Sequence, residues 1–430
     1  MPTTRRQFIK RGAGLVTVGV VMPRIWLGEA RAQSGGPPDD HRLVVIQLAG
    51  GNDGFNTLIP YTDARYHALR PMLAFKEPEL RDGQGRSMIL SDQFGLHPAM
   101  EKIKGLFDQG KVAIVQGVGY PNSNLSHFLS MDIWHTADVS GLARKGWLGK
   151  YADLALIGSP GLPAAALGGG ELPKSFSAET AIVPNIINFQ LFNFIADPAY
   201  PADYNNQINT FNAAASRTFQ PDTFMGSINK TAFESVRGAQ LVQRAVSGYT
   251  SSVVYPEFNP LAVGLKMAAQ IMVTMPEARL IYVQMGGFDH HSDQVAHANG
   301  QPNKLTGQHA VLLNWFSEAV SLFHVDMTEH GLADKLVMMQ WSEFGRRPGE
   351  NASFGTDHGT VGSMFLVGNP IKGGIYGDHP SLAATQLDPA GNPQFNVDFR
   401  EVYATLLDRW LGADSRKVLG AQYPDVGFLG

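Results

Sequence analysis

The sequence predicts an α/β fold with a largely parallel central sheet and helices on both faces. Four apolar runs have the length and composition of buried strands, and each ends in a loop rich in glycine or polar residues. These runs are residues 43–48, 112–115, 279–285 and 336–341. Helical patterns precede at least two of them, and such alternation is typical of a parallel sheet. Because parallel strands end at one edge, we expect the side chains of the four loops to lie close together.

The composition is that of a globular protein that has few charges and no thiols. Hydrophobic residues make up 44% of the 430 residues, charged residues make up 17%, and the net charge is −4. This balance gives no broad attraction for nucleic acid or for an anionic membrane surface. The chain has no cysteine. Disulfides, thiolate metal sites and cysteine nucleophiles are therefore excluded.

Residues 1–32 are predicted to be a twin-arginine export signal. The pair Arg5 and Arg6 precedes an apolar run, residues 12–22, that is too short to form a stable membrane span. Residues 30–32 match an A-x-A cleavage site, so we expect the mature chain to begin near Gln33. This predicts contact with the twin-arginine translocation machinery and a periplasmic or extracellular location. The alternative is a chance arginine pair before an apolar stretch.

Residues 33–430 are predicted to form one α/β domain, interrupted by an insert over residues 141–260. Helices are predicted at 97–109, 261–275, 308–330 and 399–411, and a further strand at 364–368. Within the insert, residues 185–222 are rich in Asn, Phe, Ala and Pro and poor in charge. They are interpreted either as a helical cap over the functional site or as a long irregular surface excursion.

The four strand-end loops carry residue types that bind metals or act as nucleophiles. These residues are Asp53, Ser126, His127, Asp289, His290, His291, Glu343, Asp357 and His358. Two of the loops share the pattern Gly-Gly-x-Asp, ending at Asp53 and at Asp289. The segment over residues 342–359 is expected to be a loop, and its adjacent Asp357 and His358 offer one oxygen and one nitrogen ligand.

A metal site follows if Asp53, Asp289 and Asp357 meet. Three carboxylates in a partly buried pocket repel one another and lose hydration, so a cation has to compensate their charge. We predict one or two divalent ions, with Zn²⁺, Mn²⁺, Mg²⁺ and Ca²⁺ left open, although mixed oxygen and nitrogen ligands favour Zn²⁺, Mn²⁺ or Fe. The predicted ligands are Asp53, Asp289, His291, Glu343, Asp357 and His358. The alternative is that each Asp is a local turn or cap residue.

The predicted catalytic residues are Ser126 and Arg346. Ser126 precedes a predicted helix, where a hydroxyl would feel the helix dipole and a nearby metal. It could equally be a plain N-cap residue, and Thr57 or a metal-bound water are competing nucleophiles. Arg346 could bind a tetrahedral oxyanion with both terminal nitrogens, or it could be an exposed arginine near an acidic loop.

The remaining histidines are assigned weaker roles. His97, His127 and His135 are interpreted as structural or polar-network residues, and His379 as a possible late metal ligand.

Several motifs together resemble one protein family. They are residues 48–54 (LAGGNDG), 95–98 (GLHP), 126–128 (SHF), 146–149 (GWLG), 287–291 (GFDHH), 342–346 (SEFGR) and 355–359 (GTDHG). With these motifs the chain is similar to the twin-arginine-exported bacterial proteins of domain of unknown function 1501, within the alkaline phosphatase and sulfatase superfamily. The resemblance covers nearly the whole mature chain.

The superfamily resemblance implies two divalent metals at the carboxyl edge of a parallel sheet. It implies ligand roles for Asp53, for Asp289 with His291, and for Asp357 with His358, and Ser126 stands where the nucleophile would. The absence of cysteine, and of the Pro and Arg that follow a formylglycine site, argues against a formylglycine sulfatase.

Two functions are therefore hypothesised. The first is an exported metal-dependent hydrolase of small-molecule or glycan phosphate or sulfate esters. The second is a non-catalytic, metal-containing envelope protein that binds glycans or protein partners.

Overall fold

The computed structural model describes residues 40–159, 161–189 and 241–430, together with a few isolated positions between 203 and 238. The strands of this part are β1 (Arg42–Leu48), β2 (Leu58–Ile59), β3 (Gly95–Leu96), β4 (Val112–Gly119), β5 (Ala164–Leu167), β6 (Asn185–Ile186), β7 (Leu280–Met285), β8 (Ala296–Ala298), β9 (Gln301–Asn303), β10 (Leu336–Trp341), β11 (Gly345–Glu350), β12 (Thr356–Gly359), β13 (Gly362–Val367), β14 (Gly374–Tyr376) and β15 (Val397–Asp398).

The α-helices whose two ends lie in the same part are α1 (Gly54–Thr57), α2 (Ala64–Leu69), α3 (Glu101–Asp108), α4 (His127–Thr136), α5 (Trp147–Ala155), α6 (Pro260–Thr274), α7 (Gln308–Glu329), α8 (Phe399–Thr405) and α9 (Ser415–Leu419). Residues 241–248 are helical as well. Short 3₁₀ turns cover Glu77–Glu79, Pro98–Met100, Lys174–Phe176 and Ala333–Lys335, and a π-turn covers Leu406–Trp410.

The central sheet of the described part has nine strands in the order β14-β4-β13-β10-β1-β7-β5-β6, with β15 also paired to β4. β1 lies between β10 and β7 and runs parallel to both. β13 is antiparallel to both of its neighbours, β10 and β4. Two such reversals leave β4 parallel to β10. The predicted largely parallel α/β sheet is confirmed, and β1, β4, β7 and β10 all end at the same edge.

β1 is buried along its whole length because helices cover both faces of the sheet. Val44 and Ile46 belong to a core that includes apolar residues of α3, α6 and α7. Leu43 and Val45, which point to the opposite face, belong to a second core formed with α4, α5 and α8. A strand without a solvent-facing side reads as a continuous apolar run, which is how β1 appears in the sequence.

The structure differs from three of the predictions about secondary structure and domain organisation. Residues 141–260 are not all insert, because β5 pairs with β7 and β6 pairs with β5 in the central sheet. The strand predicted at 364–368 exists as β13, but it is antiparallel. The loop predicted over 342–359 is a hairpin of β11 and β12, closed by backbone hydrogen bonds between the two strands.

Two predicted segments lie outside the described residues. They are the export signal, residues 1–32, and most of the proposed cap over 185–222. Within the described part of the chain, no helix is both long enough and apolar enough to cross a membrane.

Candidate metal centre

Asp289, in the loop after β7, lies at the centre of a group of imidazole side chains. Its Oδ1 is 3.0 Å from Nε2 of His358 and 3.2 Å from Nε2 of His291. Its Oδ2 is 3.3 Å from Nε2 of His127. The ligand atoms of His127, Asp289 and His358 all lie within 4.8 Å of one another, so these three side chains could hold a metal ion. With the adjoining His291, we call these four residues the Asp289 cluster.

The sheet brings the cluster together from three distant parts of the sequence. His127 begins α4, which follows β4, and both Asp289 and His291 follow β7. His358 lies on the hairpin that follows β10. Because β4, β7 and β10 run parallel, the segments that leave them meet at the carboxyl edge of the sheet.

The hairpin separates the neighbours Asp357 and His358. Successive side chains of a strand point to opposite faces, and both residues lie in β12. His358 pairs with Arg346 in the hairpin register and reaches Asp289, whereas Asp357 contacts the outer ring nitrogen of His291. Of the two neighbouring residues, the one that contacts Asp289 is therefore the histidine.

Hydrogen bonds at the outer nitrogens fix the orientation of two of these imidazoles. Nδ1 of His358 lies 2.8 Å from the carbonyl oxygen of Leu125, and Nδ1 of His127 lies 2.8 Å from Oε1 of Glu343. A carbonyl or an ionised carboxylate can only accept, so each Nδ1 carries the proton. In the neutral form of each ring, Nε2 then presents a lone pair towards Asp289, which is the arrangement typical of metal-ligating histidines.

His291 follows the same pattern with weaker geometry. Its Nδ1 lies 3.3 Å from Oδ1 of Asp357, and that carboxylate is also 3.3 Å from the side-chain amide nitrogen of Asn351. Its Nε2 lies 2.9 Å from Nε2 of His358. Asp357 therefore lies behind a ring that faces the cluster, in the position of a residue that orients a ligand.

The inner atoms of the cluster are arranged to accept a cation. When the rings of His127 and His358 are neutral, the lone pairs on Nε2 face a carboxylate that can only accept, and such atoms repel at contact distance. Nε2 of His127 is buried and has no hydrogen-bond partner in the described part of the chain. A buried polar atom without a partner is costly, and a divalent ion bound between these atoms would satisfy all of them. The residues present therefore fit a metal ion.

The electrostatics of the cluster favour an ionised Asp289. Burial alone would raise its pKa, but the hydrogen bond and the positive charge of Arg346 outweigh burial and hold the pKa well below the usual aspartate range. The hydrogen bond to Glu343 raises the pKa of His127, whereas burial lowers the pKa of His358.

The guanidinium of Arg346 donates its hydrogen bonds to protein acceptors and is not exposed to bind an oxyanion. Its side chain is 1% exposed, and Nη2 donates to Oδ1 of Asp289 at 2.7 Å. The backbone carbonyls that accept from its nitrogens belong to Gly50, Gly51, Phe288 and Thr356. The geometry makes Arg346 a residue that positions Asp289 and joins the loop after β1 to the loop after β7.

Glu343, predicted as a ligand, lies one step outside the cluster. It is fully buried, and its Oε1 accepts from Nδ1 of His127 and from the backbone N–H of Gly50, both at 2.8 Å. Its contact is with the outer nitrogen of His127. A carboxylate in this place orients the imidazole and increases its basicity.

Asp53 does not join the other two aspartates. Its carboxylate is buried and forms a bidentate ion pair with Arg70, at 2.6 and 2.9 Å. Oδ2 also accepts from Nε2 of Gln294 at 2.6 Å. The expected meeting of Asp53, Asp289 and Asp357 is therefore not found, because a guanidinium compensates the charge of Asp53.

Of the two hydroxyls considered as nucleophiles, Ser126 is accessible. It is exposed, it stands at the N-cap position of α4, and its hydroxyl makes no capping hydrogen bond. Of its two neighbours, His127 belongs to the Asp289 cluster, and the carbonyl oxygen of Leu125 contacts His358. Thr57 is 1% exposed, and its hydroxyl donates to the carbonyl of Asp53.

The other histidines lie away from the cluster. His379 contacts Asp63 at 3.3 Å, and His135 contacts the hydroxyl of Tyr282 at 3.1 Å. Nδ1 of His97 accepts from a backbone N–H, and burial lowers the pKa of both His97 and His135 to about 4. Sequence reasoning placed His127 with these structural residues. The available signal was its position beside Ser126, in the segment that follows a parallel strand.

Comparisons with known proteins place the chain in a family and give distant likenesses of fold. The C-terminal periplasmic domain of EcEptC from Escherichia coli, solved in complex with Zn, is 9% identical at a TM-score of 0.40, over 91% of this chain and 87% of that chain. The lipoteichoic acid synthase LtaP from Listeria monocytogenes is 9% identical at a TM-score of 0.35, over 94% and 78% of the two chains.

A protein in the alkaline phosphatase superfamily from Vibrio parahaemolyticus is also 9% identical at a TM-score of 0.35, over 96% of this chain and 76% of that chain. At such values, no activity or ligand is carried over from these structures. No curated protein matches the sequence significantly. The family model described as "Protein of unknown function (DUF1501)" matches residues 40–421. The chain therefore belongs to the DUF1501 family.

Proposed function

We propose that this protein is a metal-dependent hydrolase that acts on phosphate or sulfate esters. The observation that carries the proposal is the convergence of three imidazoles on Asp289, whose carboxylate lies 3.0–3.3 Å from Nε2 of His127, His291 and His358. The cluster lies at the carboxyl edge of a parallel sheet, where α/β proteins place their functional groups. An exposed Ser126 and the beginning of α4 stand directly beside it.

His127, Asp289 and His358 would hold the ion, with His291 adjoining them. Three nitrogens and one oxygen suit Zn²⁺, Mn²⁺ or Fe better than Mg²⁺ or Ca²⁺, which prefer oxygen ligands. When bound, such an ion supplies Lewis acidity to an ester oxygen and lowers the pKa of a hydroxyl or water.

The chain itself supplies the other parts of an ester-cleaving site. The hydroxyl of Ser126 is free of capping contacts within the described part of the chain, so it is available as the nucleophile. The first-turn N–H groups of α4 are not capped by that side chain, and helix N-termini bind tetrahedral anions. Glu343 and Asp357 hold the protons of His127 and His291 on the outer nitrogens, and Arg346 keeps Asp289 in place.

A second function is favoured by the number of candidate ligands. If His291 completes a four-ligand set with His127, Asp289 and His358, the site is closed in the manner of structural zinc sites. The protein would then be a non-catalytic envelope protein that binds glycans or protein partners and uses the ion for stability.

We also propose export through the twin-arginine route to the periplasm or the extracellular space. Arg5 and Arg6 before a short apolar run support this proposal. Replacing both arginines with lysine should retain the protein in the cytoplasm, as measured by cell fractionation. Unchanged export of this variant would contradict the proposal.

The activity test compares metal content and turnover in matched variants. Wild-type protein should contain a divalent ion by elemental analysis and should turn over at least one member of a panel of aryl phosphates, phosphodiesters and sulfate esters. His358→Ala should lose both properties, and Ser126→Ala should lose turnover while keeping the metal. His379→Ala is the matched control, because His379 contacts Asp63 rather than the cluster, and it should keep both.

Two other outcomes are informative. Metal without turnover on the whole panel would favour the binding protein. Turnover that survives His358→Ala and chelation would exclude the metal-dependent mechanism.

A further inference from the structure

The carboxylate at the end of the β1 loop has every acceptor position in use. Oδ1 of Asp53 accepts from the backbone N–H of Phe55 at 3.2 Å and from Nη2 of Arg70 at 2.9 Å. Oδ2 accepts from Nη1 of Arg70 and from Nε2 of Gln294, both at 2.6 Å. An ionised carboxylate offers about four lone-pair positions. Protein donors therefore fill all of the positions that a metal ion would need.

The guanidinium of Arg70, which faces Asp53, likewise has all of its hydrogen-bond donors in use. Arg70 is 0% exposed, and its Nε donates to the carbonyl of Pro348 at 2.7 Å. Nη1 also donates to Oδ1 of Asn56, and Nη2 also donates to the carbonyl of Arg347, both at 2.8 Å. With the two bonds to Asp53, all five N–H groups have acceptors. The ring of Phe55 lies 5.4 Å from the guanidinium carbon.

These contacts make the Arg70 guanidinium a fixed cation. Each of its hydrogen bonds would be lost if the side chain moved out, and the carboxylate of Asp53 would stay buried without a counter-ion. A divalent ion at Asp53 would have to displace the guanidinium or lie against its positive charge. The pKa of Asp53 supports the pairing: burial would raise it, but Arg70 lowers it to about 2.

We infer that the protein binds one divalent ion, not two, and that Arg70 permanently supplies at Asp53 the positive charge that a second ion would supply. The inference rests on the proposed metal centre, and it departs from the two-ion site that the superfamily resemblance implies. Among the described residues, the group that could hold a metal ion includes Asp289 and does not include Asp53, in agreement with this inference.

The test is the number of metal ions per chain in the mature, folded protein. Wild type, His358→Ala and Asp53→Asn are incubated with excess Zn²⁺ or Mn²⁺, freed of unbound metal by gel filtration and analysed by mass spectrometry of the elements. We expect about one equivalent in wild type, none in His358→Ala, and about one in Asp53→Asn. Circular dichroism establishes that each variant is folded.

Each contrary result has a distinct meaning. Two equivalents in wild type, with one left in His358→Ala, would overturn the single-ion inference and leave the metal centre standing. No metal in wild type would overturn the metal centre itself. If Asp53→Asn does not fold, wild type and His358→Ala still decide the question, because a second ion at Asp53 would survive in His358→Ala.

Discussion

Asp53 and Asp289 are the last residues of two motifs of the same pattern, Gly-Gly-x-Asp. The two motifs follow neighbouring parallel strands at the same edge of the sheet. Asp53 is 1% exposed and paired with Arg70, whereas the side chain of Asp289 is 47% exposed and faces three imidazoles. The identity of the residue and its place after a strand are therefore the same, but the chemistry differs. The difference teaches that a strand-end carboxylate stays available as a ligand only where protein donors leave part of it free, because Arg346 reaches one oxygen of Asp289 whereas Arg70 and other donors occupy both oxygens of Asp53.

The largest expected effects come from exchanging the two carboxylates for amides. Asp53→Asn leaves the guanidinium of Arg70 buried without its counter-ion, so we expect a loss of about 3–5 kcal/mol in the free energy of unfolding. Asp289→Asn should cost less of that free energy, measured with chelator, because the Asp289 side chain is half-exposed and the buried Arg346 keeps its backbone carbonyl acceptors. It should weaken metal binding by more than the roughly 10–100-fold typical of changes behind a ligand.

Denaturant titration and competitive metal titration of the two variants measure these effects. If Asp289→Asn were the more destabilising change, or if Asp53→Asn were the one that abolished metal binding, the two carboxylates would have the opposite roles.

The first glycines of the two motifs sharpen the comparison. Gly50 has φ +122°, and an added Cβ would lie 2.5 Å from the backbone nitrogen of Asp289, so the two loops pack backbone against backbone. Gly286 has open space around the same position. We expect Gly50→Ala to cost about 2–4 kcal/mol of unfolding free energy, because it adds both strain and overlap.

Gly286→Ala is the matched control, and it should stay within about 0.5 kcal/mol of wild type in thermal or denaturant unfolding. Equal costs for both substitutions would show that the contact between the two loops does not stabilise the fold.

The pH dependence of stability isolates the pair of Asp53 and Arg70. The pKa of Asp53 is about 2 in the folded protein, against an ordinary value of 3.8. The unfolded chain therefore takes up the proton first as the pH falls, so the stabilisation is complete above about pH 5 and is lost progressively towards pH 2. The expected loss is about 2–3 kcal/mol.

Unfolding free energies measured between pH 5 and pH 2 in wild type and Asp53→Asn check this, and the contribution should be missing in the variant. The same acid dependence in both proteins would assign the effect to other carboxylates.

The smallest expected effects concern the carboxylates behind the ligands. Glu343 is fully buried and lies 2.8 Å from Nδ1 of His127, so Glu343→Gln should weaken metal binding about 10–100-fold. Asp357 is partly exposed and lies 3.3 Å from Nδ1 of His291, so Asp357→Asn should fall at or below the lower end of that range.

Dissociation constants from competition with a metal-binding dye give the ranking. A larger effect for Asp357→Asn would indicate that Asp357 itself binds the ion, as the sequence analysis first predicted.

The sequence was sufficient to predict the sheet and the edge at which the functional groups gather. Long apolar runs have one stable place in such a chain, the middle of a covered sheet, so β1, β7 and β10 are visible without coordinates. Short-range patterns were less informative at residues 342–359, where glycines and charges suggested a loop. The backbone pairing of β11 with β12 depends on residues that are too far apart for such patterns to show.

Only the tertiary structure decided which of the candidate residues face one another. Asp53 is paired because Arg70, directly after α2, lies against it. Gln294, which is distant in the sequence, also donates a hydrogen bond to its carboxylate. His127 reaches Asp289 because β4 and β7 share an edge, although 162 positions separate them by residue number (289 minus 127). Local sequence records the type of each side chain, but charge compensation depends on distances across the fold, which packing alone sets.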